Sequence, residues 1–294
     1  MLSIRDIGRR GALACLLGAL GVLGVVGSAS AHSGEFAKFN FCPSTNPEVF
    51  KCVYSVTSGG KIILGKKTTP IVNPVTLQGG YSSTNREKKR ISKFFAATNG
   101  ITLSATKQPV PGGLLGIVPP ESSPPLVKLL SKFFFENKIT GVEAILELAK
   151  PASEIEISEF NLLAEEGLAL KLPVKVRLEN PFLGSKCYVG SSTSPLIWNL
   201  TTGETTTVLP NKSIKGTSGL ASLKEEAEIA ELTGNELVEN DWSAPEATGC
   251  GGVLSFLVDP IINLELGLPA KAGENTAILD NTIDIATPES VNAH

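Results

Sequence analysis

Leu168-Ala169-Leu170-Lys171-Leu172-Pro173-Val174-Lys175-Val176-Arg177-Leu178 is the stretch on which the fold turns. Every even position holds a large apolar side chain, and most odd positions hold a cation. Successive side chains of a strand point to opposite faces, so the alternation predicts one long strand with a buried and a wet face. Pro173 belongs to the outward set. It cannot donate to a ladder, so an edge position or a bulge is expected there.

Outward from this stretch, shorter apolar runs predict strands at 54–57, 61–64, 101–106, 142–148, 154–160, 205–209, 227–232, 253–258, 261–266 and 276–285. Gly59-Gly60, Asn180-Pro181 and Gly251-Gly252 punctuate them as turns. Many short strands without long helices between them predict a mainly β fold, an antiparallel β-sandwich or barrel-like fold.

One short amphipathic helix is expected near 124–136. Leu126, Leu129, Leu130, Phe133 and Phe134 fall at i, i+3, i+4, i+7 and i+8, with Lys128, Ser131 and Lys132 on the other side. Ser122 or Ser123 can cap it, and Pro124-Pro125 suit a helix start. It follows a proline-rich stretch, 109–125, which also holds Leu114, Leu115, Ile117 and Val118 and is too apolar for a plain linker. One reading has the helix cover an open end of the β core. A second makes its apolar stripe an interaction surface that docks a partner or lids an apolar ligand, and a third, insertion into a membrane surface, is disfavoured because only two lysines line the polar face.

The first 31 residues read as a secretory signal peptide. Arg5, Arg9 and Arg10 precede an apolar run from Ala12 to Val26, and Ala29-Ser30-Ala31 is a small-residue cleavage site. Residues 32–294 then form a single β-rich secreted domain, with a split near 109–125 as the alternative. No transmembrane span is expected after cleavage, and the expected location is secreted, extracellular or at the cell envelope. The formal net charge of the chain is −3, and losing three arginines and one aspartate makes the exported part more acidic still. That balance argues against nucleic acid and against an anionic membrane, since both need clustered Lys and Arg. The one basic run, Arg86 to Arg90, reads as a solvated loop.

Four cysteines follow the signal: Cys42, Cys52, Cys187 and Cys250. An even number in an exported chain reads as disulfides. Of the three pairings, the short proline-rich loop from Cys42 to Cys52 favours a local bridge, which leaves Cys187 with Cys250. Zinc is disfavoured because there is no CxxC spacing and the only histidines are His32 and His294.

The same scarcity of histidine argues against Ser-His-Asp and Cys-His catalysis, and no cofactor is expected. Ser58-Gly59-Gly60-Lys61 and Ser104-Ala105-Thr106-Lys107 match a serine–lysine spacing without the elements that accompany it. Glu165, Glu166 and Asp241 are the carboxylates considered for glycoside hydrolysis. Asp280-Asn281-Thr282-Ile283-Asp284 offers oxygen ligands for calcium but reads better as a hairpin turn. Asn199-Leu200-Thr201 and Asn211-Lys212-Ser213 are glycosylation sequons.

The stretches FNFCP (Phe39–Pro43), LQGGY (Leu77–Tyr81), LENPFLGSKCYVG (Leu178–Gly190), GCGG (Gly249–Gly252) and DPIINLELGLP (Asp259–Pro269) resemble a group of secreted proteins of high-GC Gram-positive bacteria. The resemblance implies export and a cysteine-stapled β fold, and it implies no activity. The expectation is a non-enzymatic secreted or envelope-associated protein that binds an unknown extracellular partner or an apolar ligand. The alternative is a carboxylate-dependent enzyme resembling a glycoside hydrolase.

Overall fold

The computed structural model describes residues 32–84, 90–115, 121–129, 140–224 and 228–294. In chain order its elements are β1 (Lys51–Leu64), β2 (Lys67–Pro70), β3 (Val75–Tyr81), β4 (Ser92–Ala96), β5 (Lys107–Val110), β6 (Val142–Leu148), β7 (Glu156–Ile157), helix α1 (Glu159–Ala164), β8 (Leu170–Glu179), β9 (Tyr188–Val189), β10 (Leu196–Leu200), β11 (Leu220–Lys224), β12 (Ile229–Glu239), β13 (Ala247–Thr248), helix α2 (Ser255–Leu266), β14 (Thr276–Ala286) and helix α3 (Pro288–Asn292). The fold is mainly β, and residues His32–His294 make one compact unit.

β8 is the alternating stretch. Leu170, Leu172, Val174, Val176 and Leu178 are all buried. On its wet face, Lys171 pairs with Glu156 at 2.7 Å, Lys175 with Glu147 at 3.3 Å, and Arg177 with Glu147 at 2.6 Å. The expectation of an edge or bulge at Pro173 is corrected. β8 is flanked on both sides, by β6 and β7 along one edge and by β9 and β10 along the other. β7 pairs with residues 170–171 and β6 with residues 174–179, so Pro173 falls in the gap between them, where no neighbour needs its missing N–H. Its carbonyl still accepts from the Ala149 amide at 3.0 Å.

All pairings are antiparallel, and the strands form one sheet in the order β11-β12-β14-β1-β3-β4-β7-β8-β6-β5. The sheet rolls up because β4 pairs with β3 through 94–96 and with β7 through 92–93. It then closes on itself. β10 lies along β8, and Thr201, the residue that follows it, exchanges backbone hydrogen bonds with Val238 of β12 at 3.0 and 2.8 Å. Pairing therefore runs β12-β14-β1-β3-β4-β7-β8-β10 and back to β12. A sheet closed in this way has two walls facing each other and few exposed edges.

β1 is one strand rather than the two expected at 54–57 and 61–64. Gly59-Gly60 does not turn the chain; it makes a bulge between Thr57 and Gly59 against β14. Gly60 has φ +95, and a Cβ there would lie 2.1 Å from the Ile278 carbonyl oxygen, so only glycine fits. The segments at 101–106 and 205–209 form no strand, contributing only the isolated bridges Leu77↔Leu103 and Val208↔Asn211. The strands expected at 253–258 and 261–266 are instead the single helix α2. It is apolar around most of its circumference, which erases the helical period from the sequence. Gly267, at φ +71, supplies its left-handed C-terminal cap.

The cysteines pair as expected. Cys42–Cys52 closes a loop with a sequence separation of 10, and Cys187–Cys250 one of 63. Among the described residues no helix is long and apolar enough to cross a membrane.

Candidate functional site: an apolar cavity between the sheet walls

The even residues of β8 point at the opposite wall, and the two walls do not meet everywhere. Between them lies a cavity of about 100 Å³. Leu172 and Val176 line it from one wall, Ile62 and Leu279 from the other. Along β1 the lining takes in Ser55, Thr57, Ile62 and Leu64. The bulge at Gly59 makes this possible, because it shifts the inward set from Ser55 and Thr57 to Ile62 and Leu64.

The polar side chains of the lining are Ser55, Thr57, Lys67, Thr69, Gln108, Glu265 and Asn281. At one end, the Thr57 hydroxyl donates to Asn281 Oδ1 at 2.6 Å, and Asn281 Nδ2 donates to the Leu279 carbonyl, with Ser55 alongside. At the other, Lys67 pairs with Glu265 of α2 at 2.6 Å. Gln108 also reaches the lining but is committed to structure. Its Oε1 accepts from the Val72 and Asn73 amides, and its Nε2 donates to the Asn73 carbonyl at 2.6 Å, tying β5 to the β2–β3 loop.

α2 closes the Lys67 end. Val258, Ile262 and Leu266, at i, i+4 and i+8, face inward, and the last two line the cavity. Asp259 anchors the helix, accepting from the Gly249 amide at 3.1 Å and the Cys250 amide at 2.7 Å. Asn263 exchanges two hydrogen bonds with Ala247 of β13. The Cys187–Cys250 bridge ties this corner to the loop after β8.

The expected interaction surface is only partly described. Residues 125–129 are helical, and the Val127 amide donates to the Pro124 carbonyl at 2.9 Å, so the helix starts where the prolines predicted. Leu126 and Leu129 are 64% and 65% exposed. Leu130, Phe133 and Phe134 lie outside the described residues. Val110 and Val142 are paired neighbours in β5 and β6, so everything from 111 to 141 is a connection between two adjacent strands. Gly113 and Leu114, at the start of that connection, line the cavity.

The carboxylates considered for catalysis are not brought together. Glu165 caps α1 in a left-handed conformation, and its Oε1 accepts from the Ser218 amide at 2.9 Å and from the Thr217 and Ser218 hydroxyls at 3.1 Å. Those donors hold its pKa down to about 2. Glu166 and Asp241 are exposed, and the Asp241 amide donates to Glu239 at 2.6 Å. The Asp280–Asp284 run is not the expected turn. It lies within β14, where Asp284 meets Lys38 at 2.9 Å and Asn281 faces the cavity. Ser58-Lys61 lies inside β1, while Ser104 accepts from the Thr76 amide and Lys107 pairs with Glu143 and Glu179. Asn211 is occupied by Asn275 and Thr276, which leaves Asn199 as the exposed sequon asparagine. Of the basic run, Arg90 is described, with its guanidinium 3.6 Å from the Phe160 ring centroid.

No protein-family model, curated protein or solved structure matches the chain.

Proposed function

We propose that the protein is a secreted, non-enzymatic binding protein of the cell exterior or envelope, and that it holds a small apolar ligand, a short hydrocarbon of a few carbons, between its sheet walls. The observation that carries this reading is the cavity of about 100 Å³ between the walls, lined mostly by apolar side chains. Each methylene moved there from water is worth about 0.8 kcal/mol, so a short chain is enough for measurable affinity. The two disulfides and the signal-like first 31 residues support an oxidising location outside the cytoplasm. The resemblance to secreted proteins of high-GC Gram-positive bacteria points the same way.

The test is calorimetric titration of the exported protein with 1-butanol, repeated on Ala144→Phe, which places a ring in the cavity. Ala144 sits on β6 at the lining and is only half-buried, so the variant keeps a route to fold. Saturable binding by the parent protein and none by the folded variant supports the reading. If 1-butanol fails to bind while Ala144→Phe raises the melting temperature, the space is a packing void and the reading falls.

A further inference from the structure

One buried hydroxyl in the cavity wall has nothing to do inside the molecule. Ser55 of β1 is 9% exposed and lines the cavity, and its side chain has no hydrogen-bond partner among the described residues. The other polar groups of the lining are accounted for. Thr57 donates to Asn281 Oδ1 at 2.6 Å, and Gln108 spends both ends of its amide on the β2–β3 loop. Thr69 is only half-buried, so water can reach its hydroxyl. A buried hydroxyl left unpaired costs free energy, and a bound group that pairs with it recovers that cost.

The register of the sheet sets what stands around Ser55. Across β1 and β14, Thr57 faces Asn281 and Ser55 faces Ile283. Ser55 and Asn281 are therefore diagonal neighbours, with Cα atoms about 7–8 Å apart. Asn281 Nδ2 gives one hydrogen to the Leu279 carbonyl at 2.8 Å and keeps a second. Asn235, directly opposite Asn281 on β12, carries a buried Oδ1 with no partner. Donors and acceptors are thus both in surplus at this end, which suits an oxygen that can accept and donate. Charge is not in surplus. The ionisable side chains of the lining are Lys67 and Glu265, and they are paired with each other at 2.6 Å. A carboxylate or an ammonium group entering here would lose its water and meet no free counter-charge.

We infer that the cavity selects a neutral ligand carrying one hydroxyl group, a short aliphatic alcohol, and that Ser55 receives its oxygen. This rests on the reading of the cavity as a ligand site.

The experiment is calorimetric titration at pH 7 with 1-butanol, 1-chlorobutane and butanoate, on the parent protein and on Ser55→Ala. The expected result is that 1-butanol binds the parent and weakens about tenfold in Ser55→Ala. 1-Chlorobutane, which fills the same space without donating a hydrogen bond, keeps its affinity in both, and butanoate binds neither. Ser55→Cys, close in volume and only a weak donor, takes the place of Ser55→Ala if that variant fails to fold. Binding of 1-butanol unchanged in the variant overturns the inference, because water then serves the hydroxyl, and it leaves the cavity reading standing. So does butanoate binding the parent as tightly as 1-butanol. Failure of both 1-butanol and 1-chlorobutane to bind the parent overturns the cavity reading itself, and the inference with it.

Discussion

Glu236 of β12 and Asp280 of β14 sit directly opposite each other in the ladder, and burial together with the Asp280 charge raises the Glu236 pKa above 4.5. A carboxyl raised by folding contributes stability that is complete below its unfolded pKa and lost as pH rises through its folded value. Glu165 is the opposite case. Its pKa falls from 4.5 to about 2, so its contribution is present above pH 4.5 and lost as pH falls toward 2. Replacing Glu236 with glutamine removes a like-charge pair at neutral pH and should raise stability by roughly 0.2–1 kcal/mol. Thermal melts at pH 7 and pH 4 check this. The gain should shrink at pH 4, and a lower melting temperature at pH 7 would contradict it. At this scale the sequence was legible where spacing decides the outcome, as with Cys42 and Cys52, whose proximity left only one partner each for Cys187 and Cys250. It was not legible for Glu165, because the donors that hold it lie more than fifty residues away on the 217–218 loop.

At the scale of elements, β8 and α2 mark the two limits of sequence reading. β8 was legible because one of its faces is wet, and Lys171, Lys175 and Arg177 record that face in every second position. Pro173 was misread because the gap between β6 and β7 belongs to strand order, which period cannot show. α2 was misread as two strands because Gly251-Gly252 and Pro260 punctuate it like turns and its exposed face is as apolar as its inner one. The cavity was missed for a related reason: its lining residues are ordinary core residues in sequence, and only the β1 bulge and the separation of the walls distinguish them. Asp259 is the residue on which the placement of α2 depends. Asp259→Ala strips two amide partners from the 249–250 loop and should cost about 1.5–3 kcal/mol for bonds to a charged group. Urea unfolding measures it; a cost within error would mean that Asn263 and the Cys187–Cys250 bridge hold α2 unaided.

The whole molecule is a closed ring of pairing stapled at two places. Chain entropy makes the Cys42–Cys52 bridge worth about 3 kcal/mol and the longer Cys187–Cys250 loop about 4. The double variants Cys42→Ser/Cys52→Ser and Cys187→Ser/Cys250→Ser should fall in that order in denaturant midpoint. Equal midpoints would show that strain or residual structure outweighs loop length. The second pair should also loosen the corner that seats α2, so its affinity for 1-butanol should fall while that of the first pair stays near the parent value. Composition and punctuation announced an antiparallel β protein of this kind. The closure through Thr201 and Val238 was beyond them, since it depends on two residues in segments that no pattern connects.

The register between β1 and β14 has a consequence for biogenesis. The first long strand takes as its neighbour the last, more than two hundred residues later, and eleven residue pairs join them. A chain emerging from its N-terminus must therefore hold β1 half-paired until nearly all of it has been synthesised, with Cys52, Val53 and Ile62 paired on one side only, to β3 and β2. Such an edge recruits strands from neighbouring nascent chains. Chains halted before residue 276 should accumulate as insoluble material, while those halted just past Ala286 should remain dispersed, a contrast that stalled translation followed by sedimentation would reveal. Proteins assembled in this order place a premium on a holdase that shields the early strand, and this one would depend on such a chaperone more than its modest size suggests.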